Sequence, residues 1–289
     1  MTMKLGSLTS TYADASNYSF QYDPKIVNMT IGSKKQLIDL PLVSISSYLD
    51  NEAVTPLSIN LVGTVYGTDK VTYLNKLSYW CFSKGMKKLY LDDTYFIFVL
   101  GKGLKPTKDG KRYNFRDYVA SFECPIPFIY GVTQKSCTYT TIAGTAVTLN
   151  NSTMGTTNYF SNTGYGPAHI QRITVKINSG TLTKVEIGDK VLSGSDVDGD
   201  NILTWDGSLA SGTLNLYLIY EYGSKGNMWY CFEAVTPETV SGDRSISGDN
   251  PESGPRITGN TADQSFSLKT TGAACDVTFY WYNSNYGGW

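Results

Sequence analysis

Helical periodicity occurs in one stretch of this chain, and strand patterns enclose it. From Ser58 to Tyr130 the sequence runs SINLVGTVYGTDKVTYLNKLSYWCFSKGMKKLYLDDTYFIFVLGKGLKPTKDGKRYNFRDYVASFECPIPFIY. Ile59, Leu61, Gly63 and Val65 recur at period two, which predicts a half-buried strand. Gly67-Thr68-Asp69 then predicts a helix start, with Thr68 or Asp69 placed to accept from the orphan N–H groups of the first turn. Val71, Leu74, Leu77 or Ser78, and Cys81 form the apolar stripe, broadened by Tyr73, Trp80 and Phe82; Gly85 predicts the stop. A lone amphipathic helix must cover an apolar face, and only the neighbouring strands supply one. Met86–Leu91 and Tyr95–Leu100 predict two strands around an Asp92-Asp93 turn. The polar run from Gly101 to Arg112 predicts a loop with a turn at Asp109-Gly110. Tyr113–Cys124 returns as a strand with Tyr118, Ala120, Phe122 and Cys124 alternating, stopped by Pro125 and Pro127.

Upstream, Tyr18, Phe20 and Tyr22 alternate with polar residues, and Asp23-Pro24 predicts a turn. Leu37–Ser47 alternates more loosely around Pro41, as an edge strand would, and Leu49–Thr55 is turn-like. After Tyr130 the composition shifts to Thr, Ser, Asn and Gly, with strand patterns at Thr138–Ile142 and Ala146–Leu149. Eight further short strands are expected: Ile170–Ile177, Leu182–Ile187, Lys190–Leu192, Ile202–Trp205, Thr213–Tyr220, Met228–Phe232, Phe266–Leu268 and Asp276–Tyr282. Val235–Asp263 has no apolar rhythm and is expected to be a long loop. The 289 residues suit two domains, with a boundary near Gly131: residues 1–131 as a β-barrel or sandwich carrying one helix, and residues 132–289 as a second β-sandwich.

The bulk numbers exclude more than they point to. A net charge of −1 favours neither nucleic acid nor an acidic substrate. No apolar run approaches the ~18 residues of a membrane span. The N-terminal MTMKLGSLTSTYADAS lacks the apolar core of a leader, so synthesis and retention in a cytoplasm-like compartment are expected. Cys81, Cys124, Cys137, Cys231 and Cys275 are odd in number and form no CxxC pair, which predicts reduced, mostly buried thiols rather than zinc ligands.

Few residues invite chemistry. His169, the single histidine, is the only base a nucleophilic triad could use, and GPAHIQRI supplies no nucleophile motif around it; a structural role is expected. Asp196, Asp198 and Asp200 in SDVDGDN are candidate ligands for calcium, although the glycine and glutamate positions of an EF-hand loop are not met; a hairpin turn between Val191 and Ile202 is the competing expectation. Lys102, Lys105, Lys108, Lys111 and Arg112, against Asp109 alone, form a basic loop for a phosphate or a neighbouring subunit, or a plain solvated loop. Trp205, Trp229 and Tyr230, with Tyr165, Tyr286 and Trp289, are candidates for stacking on sugar rings, or core and interface residues of a sandwich. No carboxylate pair stands out for glycosidase chemistry. No cofactor beyond that calcium is expected, and the chain is expected not to be an enzyme.

The order of these segments resembles the distal tail protein family of long-tailed (siphovirus-type) bacteriophages. INLVGTVYG, a helix ending in YWCFSKG, KKLYLDDTYFIFVL and YVASFECPIPFIYG are similar to that family's N-terminal domain. NTGYGPAHIQRITVKINSG, GTLNLYLIYEYGS and the closing DVTFYWYNSNYGGW are similar to its C-terminal galectin-like or carbohydrate-module-like sandwich. Val235–Asp263 and Asp196–Asp200 fall outside the pattern. The resemblance implies a virion protein of the tail tip, forming a homohexameric ring that continues the tail-tube channel through which DNA passes. It also implies contacts with the tail tube, tape measure, tail-tip protein and receptor-binding proteins. The alternative is a carbohydrate-binding module or adhesin that captures host glycans through the second domain.

Overall fold

The computed structural model describes residues 2–27, 57–83, 86–110, 114–124, 128–154, 159–192, 194–199, 201–221, 228–234, 240–245, 247–248 and 256–285. The expected strand Leu37–Ser47, the turn after it and the helix stop at Gly85 lie outside these residues. The chain is mainly β and divides into two compact units, Met1–Ile129 and Tyr130–Glu221 with Asn227–Asn285.

The first unit is built from β1 (Lys4–Ser7), β2 (Tyr18–Ser19), β3 (Lys25–Val27), β4 (Leu57–Tyr66), α1 (Lys70–Phe82), β5 (Lys87–Tyr90), β6 (Tyr95–Gly110) and β7 (Phe115–Cys124). Two antiparallel layers share β6. Its first half pairs with β5 (Val99 opposite Lys87), which continues to β1 and β2. Its second half pairs with β7 (Leu104 opposite Ala120), which continues to β4 and β3. The change of layer falls at a bulge between Gly101 and Gly103. An added Cβ at Gly101 would lie 2.0 Å from the Cys81 carbonyl oxygen, so the last turn of α1 rests directly on this bend. Leu74, Leu77 and Cys81 of α1 are buried in the same core as Leu5, Ile59, Leu61, Ile97, Val99, Tyr118 and Phe122.

Two details of α1 differ from expectation. Neither Thr68 nor Asp69 caps it with a side-chain hydrogen bond, and Val71 is exposed, so the buried stripe is narrower than its apolar residues suggest. The alternation at Tyr18, Phe20 and Tyr22 yields only the short β2, with Tyr22 exposed.

The larger correction concerns Gly101–Arg112. Gly101–Gly110 is not a loop but the second half of β6, which forms a long hairpin with β7. Its glycines and proline are absorbed by the bulge at Gly101/Gly103 and another at Pro106/Lys108, so neither breaks the ladder. The turn itself falls at Asn114, where φ is 52°.

The second unit comprises β8 (Ile129–Thr140), β9 (Val147–Leu149), the single turn α2 (Asn151–Met154), β10 (Phe160–Asn162), β11 (Ala168–Gly188), β12 (Asn201–Leu209), β13 (Thr213–Glu221), β14 (Met228–Ala234), β15 (Val240–Ser245), β16 (Ser247–Gly248), β17 (Arg256–Ile257), β18 (Thr261–Gln264) and β19 (Phe266–Asn285). It is a sandwich built on two long antiparallel strands, β11 and β19, which pair from Ile170 opposite Trp281 to Gly188 opposite Ser267. One layer uses the first half of β11 and the second half of β19, extended by β13, β14 and β8. The other uses the remaining halves, extended by β12 and β9. Phe160 lies between the layers, with its ring centroid 4.6 Å from Phe266, 5.1 Å from Phe279 and 5.5 Å from Trp281.

The strand pairs expected at Ile170–Ile177 with Leu182–Ile187, and at Phe266–Leu268 with Asp276–Tyr282, are therefore one strand each. The glycines between them make corners rather than turns: Gly180 (φ 87°) and Gly272 (φ 83°) let both strands bend together. Each leaves no room for a side chain. An added Cβ at Gly180 would be 2.3 Å from the Gly272 carbonyl oxygen, and one at Gly272 would be 2.2 Å from that of Thr181. Lys190–Leu192 is not a strand, and the expected loop Val235–Asp263 contains β15, β16 and β17 and the start of β18.

Candidate functional site

The layer β3–β4–β7–β6 turns one face to the core and the other outward. Alternation places Asn60, Val62, Thr64 and Tyr66 of β4 outward beside Ser121, Val119, Asp117 and Phe115 of β7. Polar partners on this face are matched: Thr64 Oγ1 donates to Asp117 Oδ1 at 2.6 Å, and Ser121 Oγ donates to Asn60 Oδ1 at 2.7 Å. Apolar groups lie among them, with Val62 39 % and Tyr66 44 % exposed. The Tyr66 ring bridges Tyr22 (5.3 Å) and Phe115 (5.9 Å). Gln21 clamps the end of β4 by accepting from the Tyr66 N–H and donating to its carbonyl.

The predicted basic residues enter this face through the hairpin, where β7 supplies acids that the linear sequence does not show beside them. Lys102 forms an ion pair with Glu123. In the ladder Lys108 stands opposite Asp117, and Asp109 opposite Arg116. Lys105 is exposed and stands opposite Val119. Lys111 and Arg112 lie outside the described residues. The Lys102 charge is thus matched across the strands.

The other candidates do not converge. Asp196 accepts from Lys269 Nζ at 2.8 Å, which holds its carboxyl below the usual carboxylate range. Asp198 donates its N–H to Ser267 Oγ, and its carboxylate accepts from the Gly199 N–H; Asp200 lies outside the described residues. The segment joins antiparallel β11 to β12, as a hairpin connection does. Among the described residues no group of three or more His, Cys, Asp or Glu is placed to hold a metal ion.

Of the two alternatives for Trp205, sugar platform or core residue, burial favours the second. Trp205 is 3 % accessible and belongs to the sandwich core, so its ring cannot stack on an external sugar. Trp229 and Tyr230 lie on β14, opposite Tyr220 and Ile219; Tyr165 is exposed. His169 is buried on β11 opposite Arg256, and desolvation, then the Arg256 charge, depress its pKa to about 3. It is neutral at pH 7 and closed to a substrate. Cys81, Cys124, Cys137 and Cys275 are buried thiols outside any disulfide; burial pushes Cys81 up to about 12 and Cys137 higher.

The sequence reading missed a concavity of about 440 Å³ between α1 and the chain from Ala15 to Ser19. Tyr73, Lys76, Tyr79 and Trp80 line it from the helix. Tyr73 and Trp80 flank the buried stripe and pack against the core, whereas Lys76 and Tyr79 are exposed.

No protein-family model matches the chain, and no curated protein matches it. Among solved structures it is similar to SPP1 Dit (gp 19.1), described as a paradigm of the hub adsorption apparatus in Gram-positive infecting phages, at 12 % identity and TM-score 0.38, covering 91 % of this chain and 90 % of that chain. It is also similar to a chain of the phage P2 baseplate in its activated conformation with Ca, at 8 % identity and TM-score 0.49, covering 96 % of this chain and 97 % of that one. The phage p2 baseplate with Sr gives 9 % identity, TM-score 0.47 and the same coverage. Among the described residues no helix is long and apolar enough to cross a membrane.

Proposed function

We propose that this chain is a structural, non-catalytic subunit of a phage tail tip. Its first unit assembles with copies of itself into a ring around the DNA path, and its second unit serves the tail-tip and receptor-binding proteins. The observation that carries this reading is the outer face of the β3–β4–β7–β6 layer, which combines exposed Val62 and Tyr66 with internally matched polar pairs. Such a face loses little on desolvation, because its polar groups already have partners, and it gains from covering its apolar ones. A closed ring of identical copies is one way to cover it. The resemblance in segment order supports the same reading: INLVGTVYG lies on β4 and the start of the turn after it, YWCF ends α1, KKLY and YFIFVL form β5 and the start of β6, and YVASFEC lies on β7. Light scattering on the purified full chain tests it. The expected result is a mass about six times 31.8 kDa with annular particles in negative stain; a protein that stays monomeric at high concentration overturns it.

A further inference from the structure

The pocket between α1 and Ala15–Ser19 is unusual in what its walls leave unused. Tyr73, Tyr79 and Trp80 line it from one helix; Tyr73 and Trp80 are half-buried against the core, and Tyr79 is 70 % exposed. Among the described residues, no hydrogen bond or ion pair occupies the Tyr73 and Tyr79 hydroxyls, the Lys76 ammonium, the Trp80 indole N–H or the Ser16 hydroxyl. Asn17 is held in place by donating its Nδ2 to the Thr11 carbonyl at 2.7 Å. A site made for another protein's apolar anchor would have an apolar floor. Here aromatic faces alternate with polar groups that the fold does not use, in a cavity of small-molecule size.

We propose that this pocket binds a saccharide unit, a pyranose whose C–H face lies on Tyr79, with the Trp80 ring standing nearly perpendicular beside it (84° between planes, centroids 6.5 Å apart), and whose hydroxyls meet Lys76, Tyr73 and Ser16. Aromatic rings attract the apolar face of a sugar, and the rim of hydroxyls satisfies donors and acceptors that otherwise face only water. Lys76 adds a cation, so a sugar bearing a carboxylate is held more tightly than a neutral one. The site is independent of the tail-tip reading and lies in the first unit, not in the sandwich where Trp205 suggested a sugar platform.

Saturation-transfer NMR on the assembled full chain tests this with two probes, neutral (N-acetylated) chitotriose and acidic trigalacturonate. Transfer to sugar ring protons is expected with both, and Tyr79→Ala weakens binding about fivefold by removing one stacking face. Lys76→Gln weakens trigalacturonate selectively and leaves chitotriose nearly unchanged. Tyr79 is largely exposed, so its truncation leaves the fold intact, and an unchanged thermal midpoint verifies this. Absence of transfer to both probes overturns the proposal, as does transfer that persists undiminished in Tyr79→Ala. A change in assembled mass in Tyr79→Ala without any transfer also overturns it, and would assign the pocket to a protein segment.

Discussion

Protonating His169 should destabilise the second unit in mildly acidic solution. Its pKa is about 3 when folded, against 6.5 for the group in water. The folded value is depressed, so the stability it contributes is fully present above 6.5 and is lost as pH falls toward 3, because the unfolded chain takes up the proton first. Between pH 7.5 and pH 5.5 the unfolded histidine goes from mostly neutral to mostly charged while the buried one stays neutral. The loss over that interval is roughly 1.4 kcal/mol, and it is set by the unfolded value alone as long as the folded pKa stays below about 4.5. Ordinary carboxylates remain charged there, which keeps acid titration out of the window. Urea unfolding at the two pH values should show the midpoint falling by roughly 0.5–1 M for the wild-type chain. His169→Gln is expected to be less stable at both pH values but to lose far less between them. An equal loss in wild type and variant would show that His169 is not the group responsible, and that burial does not hold it neutral.

Three other perturbations follow from the geometry. Gly272→Ala places a methyl group against the Thr181 carbonyl at a φ that L-residues rarely adopt, and should lower unfolding stability by about 2 kcal/mol or more; calorimetry showing a change below about 0.5 kcal/mol would contradict the crowded corner. Gly101→Ala forces α1 off the bend in β6, at about 1–3 kcal/mol, and hydrogen exchange at Leu77–Cys81 should accelerate; unchanged protection would mean the helix does not rest there. Lys105→Glu combined with Lys108→Glu should reduce the assembled mass while leaving the thermal midpoint of dilute protein near that of wild type, and an unchanged mass would exclude the hairpin from the subunit contact.

What could be read in advance divides along the range of the interactions. The helix was legible because Leu74, Leu77 and Cys81 repeat locally, and the Asp92 turn because its carboxylate accepts from the nearby N–H groups of Thr94 and Tyr95. The second half of β6 was not legible. Gly101, Gly103, Pro106 and the lysines argue against a strand, and only pairing with β7 overrides them. Asn178-Ser179-Gly180 and Thr271-Gly272 look like turns for the same reason: what keeps the chain extended through them is each other, far apart in sequence. The sequence leaves Trp205 between a sugar platform and the core, because an aromatic at a strand end carries no mark of which face it takes. The pocket on α1 was invisible because Ser16 and Asn17 meet the helix only through the fold.

The paired bends at Gly180 and Gly272 also constrain how this protein can be made. Because β11 and β19 each run through both layers, neither layer has its central ladder until translation has reached the final strand. β11 can already pair with β12 and β13, and β13 with β14, but the edges of β11 and β9 that β19 fills must wait unsatisfied, the state most open to misassociation between nascent chains. A ribosome stalled before Phe266 would release a folded-capable first unit joined to a tail that cannot close, so chaperone demand in producing cells should fall on the rear half of the chain.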